Sequence, residues 1–211
     1  MPLAWDEARQ AAWRAGYEAR RPAAVIPFDE AAGSALAAPL TAASDLPAFP
    51  TSAVDAWAVA GEGPWRITGA EALAGSVPPP MGPGEAVKIA TGAQVPAGCE
   101  GLIRLENAAV DGASVTGPAA REWRETGEEA RAGEELLPVG TPITPPVIGL
   151  AAAAGHSALT AHPRPSARMV VFGDELLTDG ASREGRVRDS LGPMVPHMLE
   201  AAGARVAAAA L

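Results

Sequence analysis

Three acidic places in this sequence could do chemistry. Asp55 stands alone in an otherwise apolar run, "DLPAFPTSAVDAWAV", residues 45–59. A carboxylate there is either a turn or capping residue that follows Ser52 and bonds to local backbone, or it is needed where it sits. Asp174 and Glu175 follow directly on "MVVF", at the C-terminal end of a strand, which is where open α/β sheets bind ligands. The plainer alternative is that Gly173 and Asp174 make a turn and Glu175 starts a helix. Glu128 and Glu129 lie in "WRETGEEARAGEELLPVG", which reads equally as a solvated charged loop. Taken singly, none of the three places exceeds an ordinary structural role.

Other chemistry is thinly represented. The chain has no G-x-x-x-x-G-K-[ST], no G-x-S-x-G and no H-E-x-x-H. His156, His162 and His197 sit near Pro or Gly turns or on a helix, without ligand spacing, so surface or helix-face roles suit them better than metal binding. A single cysteine, Cys99, excludes an internal disulfide framework and reads as a small buried thiol.

Composition narrows the class. The net charge is −9 and there is no Lys/Arg run, so a nucleic-acid backbone would be repelled. Lys88 is the only lysine, a bias read here as compositional. No apolar stretch approaches bilayer length, and "MPLAWDEARQ" lacks the basic-then-apolar layout of a secretory signal; a soluble, cytoplasmic protein without membrane partners is the expectation. Hydrophobic residues make up 48% but aromatics only 4%, so the core should be packed from small side chains with Trp as occasional anchors.

The elements that must position these groups follow from texture. Residues 3–20 space Trp5, Ala8, Ala12 and Ala15 along one helix face, with Pro22 marking the end. "FDEAAGSALAAPL" suits a second helix with Asp29 and Glu30 in its first turn. Between about 46 and 140, "PWRIT", "EAVKIA", "GLIRLE" and "ASVTG" alternate with Gly/Pro punctuation, which predicts a β-rich domain. "TPPVIGLAAAAG" predicts a helix with Thr144 as N-cap, Pro145 at its first position and Gly155 closing it. "ARMVVFG" then reads as a buried strand. "SLGPMVPHMLEAAG" reads as a helix capped by Ser190 and closed by Gly203, with prolines 193 and 196 in or close to its first turn. "ARVAAAAL" begins the next strand. Strand, helix, strand opens a parallel α/β sheet, and one such unit cannot cover both faces of a parallel sheet by itself. Either more chain is expected after 211 or this unit packs on another surface.

Four blocks in order carry a family resemblance: "LPAFPTSAVDAWAV", "GEAVKIATGAQVPAGCEGLIRLEN", "WRETGEEARAGEELLPVGTPITPPVIGLAAAAG" and "VVFGDELLTDG" continuing to "GRVRDSLGPMVPHMLEAAGARV". Together they resemble the molybdopterin molybdenumtransferases, the MoeA and gephyrin E-domain family. The resemblance runs from about residue 3 to 211, and "KIATGAQVPAG" is its most specific part.

The resemblance implies a mixed α/β, multi-domain chain. A helical and extended linker domain (1–45, resumed at 140–165) would carry an inserted β-rich domain (46–139), followed by the start of a parallel α/β molybdopterin-binding domain (166–211). It implies insertion of molybdate into adenylylated molybdopterin with release of AMP, dependent on Mg²⁺. Asp55, Asp174 and Glu175 would be catalytic. Ser52, Thr91, Gly92, Asp189 and Ser190 would touch the pterin substrate, and Glu129, Asp174 and Glu175 would hold the metal. Carboxylates suit a hard divalent cation. Acids alone would repel molybdate, so the metal and backbone N–H groups would supply the attraction, with Gly92 and Gly98 allowing close approach. The family forms homodimers whose active site joins two chains, so Asp55 and Asp174 of one chain need not face each other. Other proteins of molybdenum cofactor synthesis are possible partners.

The chain departs from the family pattern in several places. Pro50 and Thr51 stand for Asp-Asn, Ala56 for Gly, Trp57 for Tyr, Val54 for Met, Glu129 for Asp, Phe172 for Thr and Leu191 for Asn. The family also continues for about as long again, a further domain or more. These departures leave a second expectation open, a non-catalytic relative that acts as a scaffold or binding protein.

Overall fold

The computed structural model describes residues 4–210, and the chain forms two compact units. One is the continuous segment from Thr41 to Leu136. The other combines the chain up to Leu40 with the chain from Leu137 onward. Among the described residues there are four helices and several sheets, a mixed α/β composition, and no helix is long and apolar enough to cross a membrane.

The continuous unit is built on a six-stranded sheet in the order Gly101–Arg104, Ala56–Val59, Glu85–Ile89, Trp65–Ala72, Ser114–Thr116, Ala109–Asp111. All pairings are antiparallel except that of Trp65–Ala72 with Glu85–Ile89, which is parallel and shifts register between Ile67 and Glu71. Alternation along the strands sorts side chains onto two faces. Ala56, Ala58, Val87, Ile89 and Leu102 share one buried cluster, while Val59, Ala86, Ile103 and Val115 share another beside Trp57 and Trp65. The small-residue core expected from composition is present: alanine fills much of the first cluster, with Met81 and Val95 at its margin. Each fully buried Leu or Ile, such as Leu102 or Ile103, contributes about 1.5–3 kcal/mol of transfer free energy.

In the second unit, Ala24–Pro27 and Ala35–Leu36 flank Ala158–His162 in a three-stranded antiparallel sheet. Helix α1 (Trp5–Glu18) matches the helical pattern read over 3–20; residue 3 lies outside the described residues. None of its side chains is buried, so its apolar face is not covered by described chain. The second expected helix is cut to one turn, α2 (Phe28–Ala31). Gly33, at φ +78°, turns the chain away, and Leu36 and Leu40 are buried as extended rather than helical residues. Strand pairing has overridden alanine's helix preference.

Helix α3 (Pro145–Ala153) starts after Thr144, as the sequence predicts, although the threonine hydroxyl makes no capping bond. Ser166–Val170 and Arg205–Ala210 pair in parallel, with helix α4 (Leu191–Ala201) between them in sequence. This is the expected strand–helix–strand unit. The first strand was expected to be buried, yet Val170 is half exposed and Phe172 lies beyond the strand, fully in the open. A strand with a single partner strand and helix α4 packed against it has too little neighbouring chain to enclose it. The cap of α4 also differs. Asp189, not Ser190, accepts from the Leu191 and Gly192 N–H groups, and Pro196 sits inside the helix, in its second turn.

Candidate functional site

Asp55 sits in a bend between Thr51–Ser52 and Ala56–Val59. Its side-chain partner is not the local backbone that the plainer reading offered. The Thr91 backbone N–H donates to Asp55 Oδ1 at 2.7 Å and the Thr91 hydroxyl to the same oxygen at 2.9 Å, across 36 positions of sequence.

Backbone bonds bring the two segments together. Ser52 N–H donates to Ala93 O at 3.0 Å, Gly92 N–H to Ser52 O at 2.9 Å and Val95 N–H to Pro50 O at 2.9 Å. Buried Ser52 closes its own turn, with Oγ–H donating to Val54 O at 2.7 Å. On the far side, Leu105 N–H donates to Asp55 O at 3.1 Å. The carboxylate is exposed at the rim, but its own carbonyl is tied to Leu105 and the segment just before it to residues 92–95.

The two Thr91 bonds favour the ionised form and hold the Asp55 carboxyl below its ordinary value, the backbone N–H having the larger effect. Desolvation opposes this weakly and the Lys88 charge adds to it. Asp55 lines a cleft of about 270 Å³ with Glu71, Lys88 and the apolar side chains of Leu73, Ile89 and Leu105. Lys88 Nζ lies 3.6 Å from Glu71 Oε1, and the two residues are register partners across adjacent strands. Neither Lys88 nor Glu71 was singled out from sequence. The available signal was that Lys88 is the only lysine, three positions before Thr91 in the most specific motif.

The remaining candidates fall elsewhere. Glu129 belongs to the same unit, where its N–H donates to Leu46 O at 2.8 Å and its carboxylate lies 3.6 Å from Arg124 Nη1. The neighbouring Glu128 accepts from Glu125 N–H at 2.7 Å. Asp174, Glu175, Asp189 and Ser190 belong to the other unit. Asp174 and Glu175 are exposed in the turn after Ser166–Val170. Asp189 and Ser190 line a cavity of about 350 Å³ with Val170, Phe172 and Leu191, at the C-terminal end of that strand. Among the described residues no three His, Cys, Asp or Glu side chains gather as a metal-ligand set.

The chain is thus mixed α/β, with a β-rich unit inserted in sequence between the two parts of a second unit. Residues 3–155 match the family described as "MoeA N-terminal region (domain I and II)", and the chain belongs to that family. It is 33% identical over 200 residues to molybdopterin molybdenumtransferase 2 of Mycobacterium tuberculosis, covering 88% of this chain and 49% of that protein. It is 28% identical over 200 residues to the molybdopterin molybdenumtransferase of Staphylococcus aureus, covering 88% and 48% respectively. The chain thus spans about half the length of the curated relatives it matches. In fold it is similar to the molybdopterin biosynthesis moeA protein of Pyrococcus horikoshii OT3, with a TM-score of 0.76 at 22% identity over 95% of this chain and 59% of that one.

Proposed function

We propose that this chain serves molybdenum cofactor biosynthesis, in the insertion of molybdate into adenylylated molybdopterin with release of AMP. The observation that carries the proposal is the Asp55–Thr91 pair, which joins two blocks of the family resemblance at one cleft. The names of the curated relatives support the same role.

The chemistry open to the cleft follows from its charges. An acid held below its ordinary pKa is ionised near neutral pH, so Asp55 accepts hydrogen bonds or balances positive charge and does not serve as a proton donor there. Glu71 adds a second negative group and Lys88 a positive one, while Leu73, Ile89 and Leu105 offer an apolar wall. Such a lining suits a flat, N–H-bearing ring better than a bare oxyanion, which two carboxylates would repel. Asp55 then orients the substrate, and the Thr91 bonds keep the carboxylate in one position. No step of this proposal runs through a magnesium ion. A homodimer, which rests on the family resemblance alone, and a cytoplasmic location, which rests on the composition of the sequence, belong to the same proposal.

The test is molybdate-dependent AMP release from adenylylated molybdopterin by this chain, beside Asp55→Ala. Release that falls by about a hundredfold or more in the variant supports the reading. A wild-type chain that binds the substrate but releases no AMP, in an assay where a relative is active, replaces it with the binding-protein reading.

A further inference from the structure

The unit formed by the two outer segments holds a second cavity, of about 500 Å³. Its polar lining is Arg20, Arg21, Ser34, His162 and Arg164, the rest is glycine, alanine and proline, and no Asp or Glu is part of the wall. In a chain with 25 acidic and 16 basic residues, a cavity lined by three arginines and no acid departs from the average surface.

Most of these groups are fixed. Arg164 donates from Nε to Gly203 O at 2.9 Å and from Nη2 to Ala204 O at 2.6 Å, which leaves Nη1 without a partner among the described residues. Gly33 makes room for it, since a Cβ there would lie 3.1 Å from Arg164 Cδ. Arg20 donates to Tyr17 O at 3.0 Å and its guanidinium lies 4.0 Å over the Tyr17 ring. His162 Nδ1 is 2.9 Å from Arg21 O. A carbonyl only accepts, so Nδ1 carries the proton and Nε2 remains available. Holding Arg164 to two carbonyls accounts for that residue but not for Arg21, whose guanidinium has no partner among the described residues. Nor does it account for Ser34. The residue is 5% exposed and its hydroxyl has no hydrogen-bond partner there, although buried polar groups are nearly always satisfied.

We propose that this cavity binds a tetrahedral oxyanion of the phosphate and molybdate class, free or as the terminal group of a phosphomonoester. Guanidinium N–H groups already held in place favour such an ion, because little side-chain freedom is lost on binding. Ser34, part of the wall, carries a buried hydroxyl that the fold itself leaves unused. The site is independent of the Asp55 cleft and lies in the other unit.

Isothermal titration of the purified chain with inorganic phosphate, molybdate and AMP, in a buffer free of oxyanions, tests this. Saturable one-site binding is expected. Arg21→Gln should weaken it by about tenfold and Ser34→Ala by about threefold, while Asp55→Ala leaves it unchanged. Equal affinity for the three probes assigns a free oxyanion, and AMP binding about tenfold tighter assigns a phosphomonoester. The proposal is overturned if no probe saturates, or if binding is lost in Asp55→Ala and kept in Arg21→Gln. It is also overturned if Ser34→Ala only raises the unfolding midpoint, which would make the hydroxyl a trapped group and not a ligand contact.

Discussion

Asp55 and Thr91 meet through two hydrogen bonds to one carboxylate oxygen, one from the Thr91 backbone and one from its hydroxyl. The arrangement separates two contributions that mutation can take apart. Thr91→Val keeps the backbone N–H and removes the hydroxyl at nearly constant shape. The Asp55 carboxyl, followed by ¹³C NMR, should titrate below the ordinary aspartate range in the wild type and move part of the way back in Thr91→Val. The sign for stability follows. A depressed folded-state pKa contributes stability that is present above the unfolded pKa and is lost as pH falls through the folded one. Any stability gap between wild type and Thr91→Val that comes from Asp55 should be seen near neutral pH and close in acid. An unchanged Asp55 titration in Thr91→Val would show that the hydroxyl contributes nothing.

Lys88 acts on the same carboxylate from further away, by charge alone, and it is the smallest of the causes that shift Asp55. Lys88→Met should therefore move the Asp55 titration upward less than Thr91→Val does. Its exposed pairing with Glu71 contributes about 0–1 kcal/mol, so the fold should persist. If substrate is oriented by the cleft charges, AMP release should fall in Lys88→Met and return in large part in Lys88→Arg. A Lys88→Met chain with wild-type release would remove this residue from the site.

The sequence made the β-rich middle of the chain legible, because "PWRIT", "EAVKIA", "GLIRLE" and "ASVTG" each carry strand residues between turn formers, and each became a strand of one sheet. The stretch from Phe28 to Leu40 misled, since its alanines favour a helix locally while burial of Leu36 and Leu40 is decided by distant pairing. Asp55 could be suspected as an isolated acid in an apolar run, but its partner could not be found by spacing. Thr91 lies three strands away in sequence, and the pairing of Ala56–Val59 with Glu85–Ile89, together with the Ser52–Ala93, Gly92–Ser52 and Val95–Pro50 backbone bonds, brings it near. Glu71 was hidden for a related reason: it faces Lys88 only because the register shifts between Ile67 and Glu71.

Gly92 and Gly98, both read from sequence as places of close ligand approach, differ in the structure. Both have positive φ, +81° and +89°. A Cβ on Gly92 would meet open space, whereas one on Gly98 would lie 2.3 Å from Met81 O, in a turn where Met81 N–H also donates to Ala97 O at 2.9 Å. Gly98→Ala must displace backbone as well as adopt a left-handed conformation, and should destabilise by about 3 kcal/mol or more. Gly92→Ala carries the conformational cost alone, about 1–2 kcal/mol. Urea unfolding of the two variants checks the order, and equal losses would mean that the turn relaxes around the added methyl.

Cys99 is half-buried, and its thiol donates to Gly101 O at 3.3 Å. Removal from water disfavours the thiolate and raises the pKa above the ordinary cysteine value, more than the nearby backbone bonds lower it. Because the thiolate is the reacting form, the folded chain should be slow toward a disulfide reagent at pH 8 compared with the same chain in denaturant. The rate should keep rising with pH beyond the point where a free cysteine levels off, since the folded thiol still holds its proton there. A rate in the folded chain equal to that in denaturant would show a solvent-accessible thiol and remove Cys99 from the interior of the β-rich unit.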